Sequence, residues 1–283
     1  MKFRKTAILG VGLMGGSFAL AMRKGSLSET IVGYGRNESN LARAREKGII
    51  DAFETDPARA CQGADLVVLC TPVGRFASLA EEVRGSLGNG AIVIDLGSVK
   101  GGLVRRLEDI MPEGVHYVGC HPIAGSERSG ADAADGSLYQ RALCVITRTG
   151  RTDPEALGRV QELWRALGAE TRTMDPDEHD KVYALVSHMP HLIAYALVNT
   201  VADLDGSFLD FAGQGFKDTT RIASSAPGMW RDICLMNRDN LLDLAGRFSD
   251  NLDRLCALLR AGDSEGIEAA FERARKLREK LEN

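Results

Sequence analysis

A histidine held between glycine and proline is the part of this chain that points most clearly to chemistry. His121 stands in Gly119-Cys120-His121-Pro122, directly after the short apolar run 115–118, which predicts a strand. Side chains at the carboxyl ends of strands in an α/β sheet lie where such sheets bind ligands. A neutral imidazole accepts a proton readily, because its ordinary pKa of about 6.5 lies near working pH. We therefore predict that His121 is a catalytic proton acceptor; the alternative is a histidine packed in a loop.

The chain opens with a glycine pattern that is typical of dinucleotide binding. Gly-x-Gly-x-x-Gly falls at residues 10–15, between a predicted strand (6–9) and a predicted helix (13–24). The first glycine allows a tight turn, the second lets a pyrophosphate approach the backbone, and the third packs the helix on the strand. The phosphates then lie at the amino end of the helix. The predicted coenzyme-binding residues are Gly10, Gly12, Leu13, Met14 and Gly15, together with Thr71 and Pro72 after a later strand.

The residues after the second predicted strand bear on the choice of coenzyme. A carboxylate that bonds the adenosine ribose is expected at this place, but the chain has Gly35-Arg36-Asn37. Arg36 can face the 2′-phosphate of NADP, or it can lie in solvent beside a site that accepts either coenzyme. The cofactor is therefore predicted to be NAD or NADP.

Two more polar positions are predicted to lie near His121. Ser98 and Lys100 follow the fourth strand, at the same edge of the sheet, and the Ser98 hydroxyl can orient His121 or the substrate; Ser98 is also predicted to bind the coenzyme. Its alternative role is to cap a helix. In the second half of the chain, Arg221 is suited to hold a carboxylate through two hydrogen bonds, although an arginine at the surface is the simpler interpretation.

The order of elements predicts two domains. Apolar runs that predict strands alternate with helical patterns up to residue 174, which indicates a parallel, doubly wound (Rossmann-type) sheet; the later runs are 30–34, 65–70, 91–95, 115–119, 142–147 and 169–173. No strand is predicted after residue 174. Long helices are predicted at 177–203, 227–260 and 264–281, with a possible kink at Pro190. We predict a dinucleotide-binding domain at 1–174 and an all-helical domain at 175–283, whose apolar faces indicate dimerisation.

Composition narrows the class of protein. The 283 residues are 44% hydrophobic and 26% charged, with a net charge of −4, so neither a nucleic-acid partner nor an acidic membrane surface is expected. Six cysteines without a Cys-x-x-Cys pair predict no metal centre and a cytoplasmic protein with reduced thiols. The amino-terminal residues imitate a signal peptide but read better as strand, turn and helix, and no other stretch is expected to span a bilayer.

Six pieces of sequence follow one another in order along nearly the whole chain. The pieces are Gly10-Val11-Gly12-Leu13-Met14-Gly15-Gly16-Ser17, Asp95-Leu96-Gly97-Ser98-Val99-Lys100, Gly119-Cys120-His121-Pro122-Ile123-Ala124-Gly125, Ser187-His188-Met189-Pro190-His191, Phe216-Lys217-Asp218-Thr219-Thr220-Arg221-Ile222 and Met229-Trp230-Arg231-Asp232. Together they resemble the TyrA family of prephenate and arogenate dehydrogenases. The glycine pattern is generic, whereas the His-Pro and Thr-Arg-Ile pieces are specific.

The resemblance implies roles for individual residues. His121 matches the catalytic histidine that bonds the ring hydroxyl of the substrate, and Ser98 matches the serine that supports it. The residues that match substrate-binding or pocket positions, some of them contributed across a dimer, are Ser126, Glu127, His191, Asp218, Arg221 and Trp230. The family usually carries Asp at the position of Gly35 in its NAD-dependent members, so the coenzyme stays undecided.

The implied reaction is the oxidative decarboxylation of prephenate to 4-hydroxyphenylpyruvate, in tyrosine biosynthesis, by a homodimer with no appended regulatory or mutase domain. Three alternatives remain. The first is an arogenate dehydrogenase, which gives tyrosine directly. The second is a β-hydroxyacid dehydrogenase, for which Lys181 is the only well-placed lysine in the helical half. The third, from another class, is a coenzyme-binding regulatory protein without turnover.

Overall fold

The computed structural model describes residues 2–125, 128 and 130–281, and its first half is built around a six-stranded parallel sheet. The strand order β3-β2-β1-β4-β5-β6 is that of a doubly wound dinucleotide-binding sheet. The strands are β1 (Phe3–Leu9), β2 (Ser28–Tyr34), β3 (Ala52–Glu54), β4 (Leu66–Leu69), β5 (Ile92–Asp95) and β6 (His116–Val118). The predicted Rossmann-type sheet is thereby confirmed, and β3 is a short edge strand that the sequence did not reveal.

Helices cover both faces of this sheet. Every residue of the central strands β4 and β5 is buried, as expected of parallel strands covered on both sides. Alternate side chains of these strands enter two apolar clusters, one packed around Phe18 and Trp164 and the other around Phe76 and Leu107. The helices are α1 (Leu13–Lys24), α2 (Glu38–Glu46), α3 (Pro57–Cys61), α4 (Phe76–Val83) and α5 (Gly101–Ile110).

A second, three-stranded sheet was not predicted. The strands β7 (Cys120–Pro122), β8 (Leu143–Thr147) and β9 (Glu170–Met174) form it, with α6 (Pro154–Ala166) between the last two. The last two predicted strands therefore exist but lie outside the six-stranded sheet: β8 pairs with β9 in parallel and with β7 antiparallel. A Cβ atom on Gly119, between β6 and β7, would lie 2.4 Å from Thr147 Oγ1, so a glycine is needed where the chain changes sheets.

The rest of the described chain, from Pro176 to Leu281, contains helices and no strand. Two of the predicted long helices are each divided in two. The first is interrupted by a π-helical turn, Ala184–His188, so that Pro190 lies in the first turn of a new helix, where its missing N–H is tolerated. The helices are α7 (Pro176–Tyr183), α8 (Met189–Asp205), α9 (Gln214–Thr220), α10 (Pro227–Met236), α11 (Arg238–Ala261) and α12 (Ser264–Glu279).

The second division falls at Asn237, where α10 ends. The Asn237 amide donates to the backbone carbonyl of Asp180 at 2.8 Å and lies 3.0 Å from His188 Nδ1. The Asn237 side chain is thus held by two acceptors from distant parts of the chain. Helical periodicity in the sequence does not reveal such contacts. The chain divides here into two compact units, Met1–Asn237 and Arg238–Asn283. The domain boundary predicted between residues 174 and 175 lies inside the first unit and stays a prediction.

One helical run, Pro176–Phe211, has the length and apolar composition of a membrane span: an 18-residue stretch within it has a mean hydropathy of 1.3 and is almost entirely unburied. The expectation that no stretch is long and apolar enough was therefore wrong. The charged residues of this run lie toward its two ends, since none stands between Lys181 and Asp203, and the stretch 182–202 is mostly apolar. A single run of this kind is weak evidence, because helices that pack on a partner have the same composition.

Candidate active site

The glycine pattern forms a cradle at the amino end of α1. Gly10 has φ +113°, and a Cβ atom there would lie 2.8 Å from the Cys70 backbone. A Cβ atom on Gly15 would lie 2.1 Å from the Gly10 carbonyl oxygen, so the helix packs directly on the turn. Among the described residues, nothing lies within 4 Å of the corresponding position on Gly12, and no side chain caps α1 there. The space and the free helix end fit a pyrophosphate group.

The other residues predicted to bind coenzyme surround this cradle. Leu13 and Met14 begin α1 and are half-buried, and the Tyr139 hydroxyl donates to the Met14 carbonyl at 2.7 Å. Thr71 and Pro72 follow β4, which lies next to β1. In the described part of the chain, Thr71 Oγ1 is buried without a hydrogen-bond partner, which leaves a polar atom for a ligand to satisfy.

The end of β2 carries no carboxylate. Gly35 follows the strand and packs against Leu41, and Arg36 is exposed. The side chain of Asn37 is already used, since it accepts a hydrogen bond from the Asn40 backbone and caps α2. Arg36 is thus the charged side chain next to the position where a carboxylate that bonds the ribose is expected. The choice between NAD and NADP stays undecided.

Five of the residues predicted for catalysis or substrate binding line one pocket of about 500 Å³. Some come from the sheet half of the chain and the others from the helical half, at positions far apart in sequence. Gly125 also lines the pocket, and a Cβ atom on it would lie 3.9 Å from Met14 Sδ, so the pocket adjoins the glycine cradle. The five residues are Ser98, His121, His191, Arg221 and Trp230.

The His121 ring is buried and is held by the helical half of the chain. It lies in β7, opposite Val145 of β8, and its Nδ1 atom is 2.8 Å from Nε2 of His179 on α7. The Tyr183 ring packs edge-on against His121, with 4.6 Å between ring centroids. Ser98 lines the same pocket but does not cap α5, which begins without a side-chain cap, so that alternative for Ser98 is wrong.

Behind His179 lies a buried group of charged residues. His179 Nδ1 is 2.8 Å from Asp180 Oδ1, which also accepts the Lys100 backbone N–H at 2.7 Å. The Lys100 ammonium forms a fully buried ion pair with Asp95 at 2.8 Å. Asp95 accepts a further hydrogen bond from the Tyr117 hydroxyl at 2.5 Å. The Asp180 carboxylate is therefore linked to the His121 ring by two hydrogen bonds, through His179.

This environment keeps the histidines of the site neutral. Burial, and next the positive charge of Lys100, hold the pKa of His121 well below its ordinary value of 6.5. Burial also lowers the pKa of His179, although its hydrogen bond to Asp180 acts in the opposite direction. Burial lowers the pKa of His188 to about 4. At neutral pH His121 therefore has a lone pair with which to accept a proton.

The opposite wall of the pocket carries an aromatic stack and a cation. The rings of His191 and Trp230 are stacked, with centroids 3.4 Å apart and planes 19° apart. His191 Nδ1 is 2.9 Å from the Ser187 carbonyl oxygen. Arg221 is exposed and lines the same pocket; burial lowers the pKa of His191, the hydrogen bond to Ser187 opposes this, and the charge of Arg221 lowers it further. The pocket thus combines a neutral base, a flat apolar wall and a positive charge.

The structure does not bring every predicted residue to the pocket. Asp218 on α9 is exposed and accepts a hydrogen bond from Gln214 at 2.6 Å. Lys181, which the β-hydroxyacid alternative requires, is exposed on α7 and is absent from the described lining. Ser126 and Glu127 lie outside the described residues.

Three residues at the site were not predicted from the sequence. His179, Asp180 and Tyr183 hold His121 in place, and none belongs to the motifs that identify the dinucleotide site or the substrate pocket. A weak signal was present, because His179 and Tyr183 are four residues apart and therefore share one helix face. Periodicity alone did not indicate that this face meets β7.

The sheet, the glycine cradle and the adjoining pocket with its neutral histidine define a nicotinamide-dependent dehydrogenase. Comparison with known proteins narrows this class. Residues 18–173 match the nucleotide-binding domain of prephenate dehydrogenase, and residues 175–273 match its dimerization domain. The chain belongs to the prephenate dehydrogenase family.

Individual relatives agree with this assignment. A prephenate dehydrogenase of Bacillus subtilis is 33% identical over 97% of this chain and 75% of its own length. A cyclohexadienyl dehydrogenase of Zymomonas mobilis is 32% identical over 98% of this chain and 95% of its own length. The crystal structure of prephenate dehydrogenase from Aquifex aeolicus with hydroxyphenyl propionate and NAD+ has a TM-score of 0.94 and 36% identity, covering 99% of both chains. Synechocystis arogenate dehydrogenase has a TM-score of 0.82 and 28% identity, covering 98% of this chain and 99% of its own.

Proposed function

We propose that this protein oxidatively decarboxylates prephenate to 4-hydroxyphenylpyruvate with NAD or NADP, a step of tyrosine biosynthesis. The observation that carries the proposal is the position of His121. Its buried, neutral ring lines a pocket that adjoins the glycine cradle on one side and contains Arg221 on the other. A hydroxyl to be oxidised and a carboxylate to be held require these two groups in one pocket.

The residues of the chain act on the substrate in a simple order. Arg221 holds a carboxylate of prephenate, and the stack of His191 and Trp230 forms a flat wall for its ring. His121 accepts the proton of the ring C4 hydroxyl as that carbon is oxidised. When bound, the nicotinamide takes the hydride from C4. The ring carboxylate then leaves as carbon dioxide, because the ring becomes aromatic.

Four residues have supporting roles in this proposal. Ser98 helps to orient the substrate or the coenzyme from the carboxyl end of β5, where it lines the pocket. Ser126 and Glu127 take part in substrate binding, and Asp218 acts near the pocket, on the strength of the family resemblance alone. Their tests are single alanine variants with KM measured for prephenate.

A direct assay tests the reaction. The purified protein is mixed with prephenate and either coenzyme, and the absorbance of the reduced nicotinamide is followed. We expect turnover with release of carbon dioxide. Absence of turnover with either coenzyme would favour a coenzyme-binding regulatory protein.

Arogenate is the second candidate substrate, because a related structure is an arogenate dehydrogenase. Arogenate carries an ammonium group on its side chain, and no carboxylate belongs to the described lining of the pocket. We therefore propose a preference for prephenate. A higher kcat/KM for arogenate would reverse the preference and leave the reaction type unchanged.

We expect Gly35→Asp to shift preference toward NAD, because a carboxylate there bonds ribose hydroxyls and repels a 2′-phosphate. The new Cβ atom would lie 3.3 Å from Leu41 Cδ2, so the leucine side chain has to move slightly. The measurement is the ratio of kcat/KM for NAD and NADP, with Gly35→Ala as the control for that contact. An unchanged ratio in Gly35→Asp would mean that this residue does not discriminate between coenzymes.

We further propose that the protein is a cytoplasmic homodimer formed through its helical half. The exposed large apolar side chains of the described chain support this, since one of them, Ile123, precedes residue 175 and all the others follow it. Leu204 and Phe211, 75% and 86% exposed, lie on the apolar run 176–211. Burial against a second copy would remove this surface from water. The cysteines of the described chain are free, as in a reducing compartment.

Sedimentation tests the dimer. We expect the wild type to sediment as a dimer and the double variant Leu204→Glu/Phe211→Glu to dissociate at micromolar concentration, because charges would then be buried in the contact. Lys24→Glu, at an exposed position of the sheet half, is the control and is expected to remain dimeric. A wild-type monomer, or wild type that sediments with phospholipid vesicles, would contradict the proposal.

A further inference from the structure

The hydrogen bonds behind His121 have a fixed direction. Asp180 Oδ1 accepts the Lys100 backbone N–H, at the amino end of α5, where a negative charge is stabilised by the helix. A carboxylate only accepts hydrogen bonds, so His179 Nδ1, 2.8 Å away, has to carry a hydrogen and donate it. The Nε2 atom of a neutral His179 is then an acceptor.

The acceptor on His179 fixes which nitrogen of His121 donates a hydrogen bond. Its Nδ1 atom is 2.8 Å from His179 Nε2, so it has to donate to that acceptor. A neutral imidazole has a hydrogen on only one of its two nitrogens. The other nitrogen of His121, Nε2, is therefore left with the lone pair. Tyr183 contacts both rings, at centroid distances of 4.6 Å and 4.5 Å, and limits their rotation.

We propose that His179 and Asp180 are positioning residues that fix the tautomer of His121, with hydrogen on Nδ1 and the lone pair on Nε2. The same two residues share the charge when His121 reacts. As Nε2 takes a proton, the Nδ1 hydrogen of His121 moves toward His179 Nε2, and the Nδ1 hydrogen of His179 moves toward Asp180. The only proton gained is the one that Nε2 takes from the substrate; the other two hydrogens shift within their hydrogen bonds, so the positive charge is spread toward a carboxylate.

The groups that face this chain of hydrogen bonds come from several elements. Lys100 lies at the start of α5, and its charge is compensated by Asp95 at the end of β5. His188 comes from the π-helical turn, and its charged form is disfavoured because burial lowers its pKa to about 4. Asn237 donates to the backbone of Asp180 and leaves the Asp180 carboxylate for His179 and Lys100. Asp180 is therefore the carboxylate that directs His179.

The inference rests on the proposed role of His121, but its first readout does not need activity. The tautomers of the five histidines are read by long-range 1H–15N NMR on the full-length protein labelled at histidine, at pH 7.5. We expect the wild-type His121 signal to show hydrogen on Nδ1. Hydrogen on Nε2 would overturn the inference. The expected tautomer together with unaffected turnover in a His121 variant would instead refute the proposed function and leave the inference in place.

Variants supply the second readout. His179→Phe keeps a ring beside Tyr183 but removes the acceptor, so we expect the single tautomer to be lost and kcat to fall by up to about a hundredfold, with little change in KM for coenzyme. His179→Gln can accept from His121 and donate to Asp180, and it is expected to restore most of both. His116→Gln, in β6 and away from the pocket, is the control. The inference would be overturned if His179→Phe kept the single tautomer or the wild-type kcat. It would also be overturned if His179→Gln behaved like His179→Phe.

Asp180→Asn separates hydrogen-bond direction from charge. The amide oxygen can still accept from both His179 and Lys100, so the tautomer of His121 is expected to persist. Without the negative charge, protonated His121 is less stable, so the acid limb of the kcat profile is expected to move to lower pH while kcat falls. An acid limb that stays in place would show that Asp180 does not share the charge, and would overturn that part of the inference.

Discussion

Replacement of His121 by asparagine is expected to lower kcat by at least about a hundredfold, which is the usual scale of lost general acid–base assistance. Coenzyme affinity is expected to stay nearly unchanged, because the glycine cradle is formed by other residues. The measurements are kcat with prephenate and the dissociation constant of the coenzyme. His116→Asn is the matched control, since it makes the same change outside the pocket. Near-normal turnover in His121→Asn would refute the assignment of the proton acceptor.

The dependence of wild-type kcat/KM on pH also tests whether His121 is the proton acceptor. Because the pKa of His121 is held well below 6.5, its neutral form persists through the pH range in which an exposed histidine becomes charged. We therefore expect kcat/KM to fall only below that range, as the ring gains its proton. An acid limb centred at 6.5 or above would mean that the group that titrates is not this buried ring.

Replacement of Arg221 by alanine is expected to weaken prephenate binding by roughly 2–5 kcal/mol, the range for removing one partner of a charge pair that is shielded from water; Arg221 is exposed in the chain itself, so it is the bound substrate that has to cover it. The guanidinium lines the pocket and lies close enough to His191 to lower the pKa of that ring. KM for coenzyme should barely change. Arg84→Ala, which removes an exposed arginine with a surface ion pair to Glu81, is the control.

Lysine at position 221 makes this test more specific. Arg221→Lys keeps the positive charge but loses the planar pair of donors, so it is expected to recover only part of the lost affinity. Full recovery would mean that charge alone holds the carboxylate. An affinity for prephenate that is unchanged in Arg221→Ala would remove this residue from the substrate site.

Local patterns in the sequence were sufficient to predict the parallel sheet and the coenzyme cradle. Helix α1 begins and ends where it was predicted, because the glycines before it and the apolar period within it are local signals. The strands β4 and β5 were also predicted within a residue or two, since continuous apolar runs are typical of strands covered on both faces. His121, Ser98, His191, Arg221 and Trp230 were predicted for one site, and the structure brings them to one pocket.

The features that were missed depend on contacts between distant residues. The strand β7 has only three residues and forms because β8 lies beside it, so its own sequence contains little evidence of it. Asn237 ends α10 through acceptors that lie about fifty residues earlier in the chain. His179 and Asp180 acquire their roles only because α7 packs against α5 and β7. Interactions of this kind are decided by tertiary structure, which periodicity does not encode.

The buried pair of Lys100 and Asp95 limits how this part of the molecule can change during evolution. Asp95 also accepts hydrogen bonds from Tyr117 and from the Gly97 backbone, so the pair ties the end of β5 to β6. Loss of either charge alone would leave the other uncompensated in the core, at a cost of about 3–5 kcal/mol. A lineage can therefore lose this pair only by replacing both residues nearly together. Positions 95 and 100 are therefore expected to vary together among related sequences, and a redesign of this region should change both residues at once.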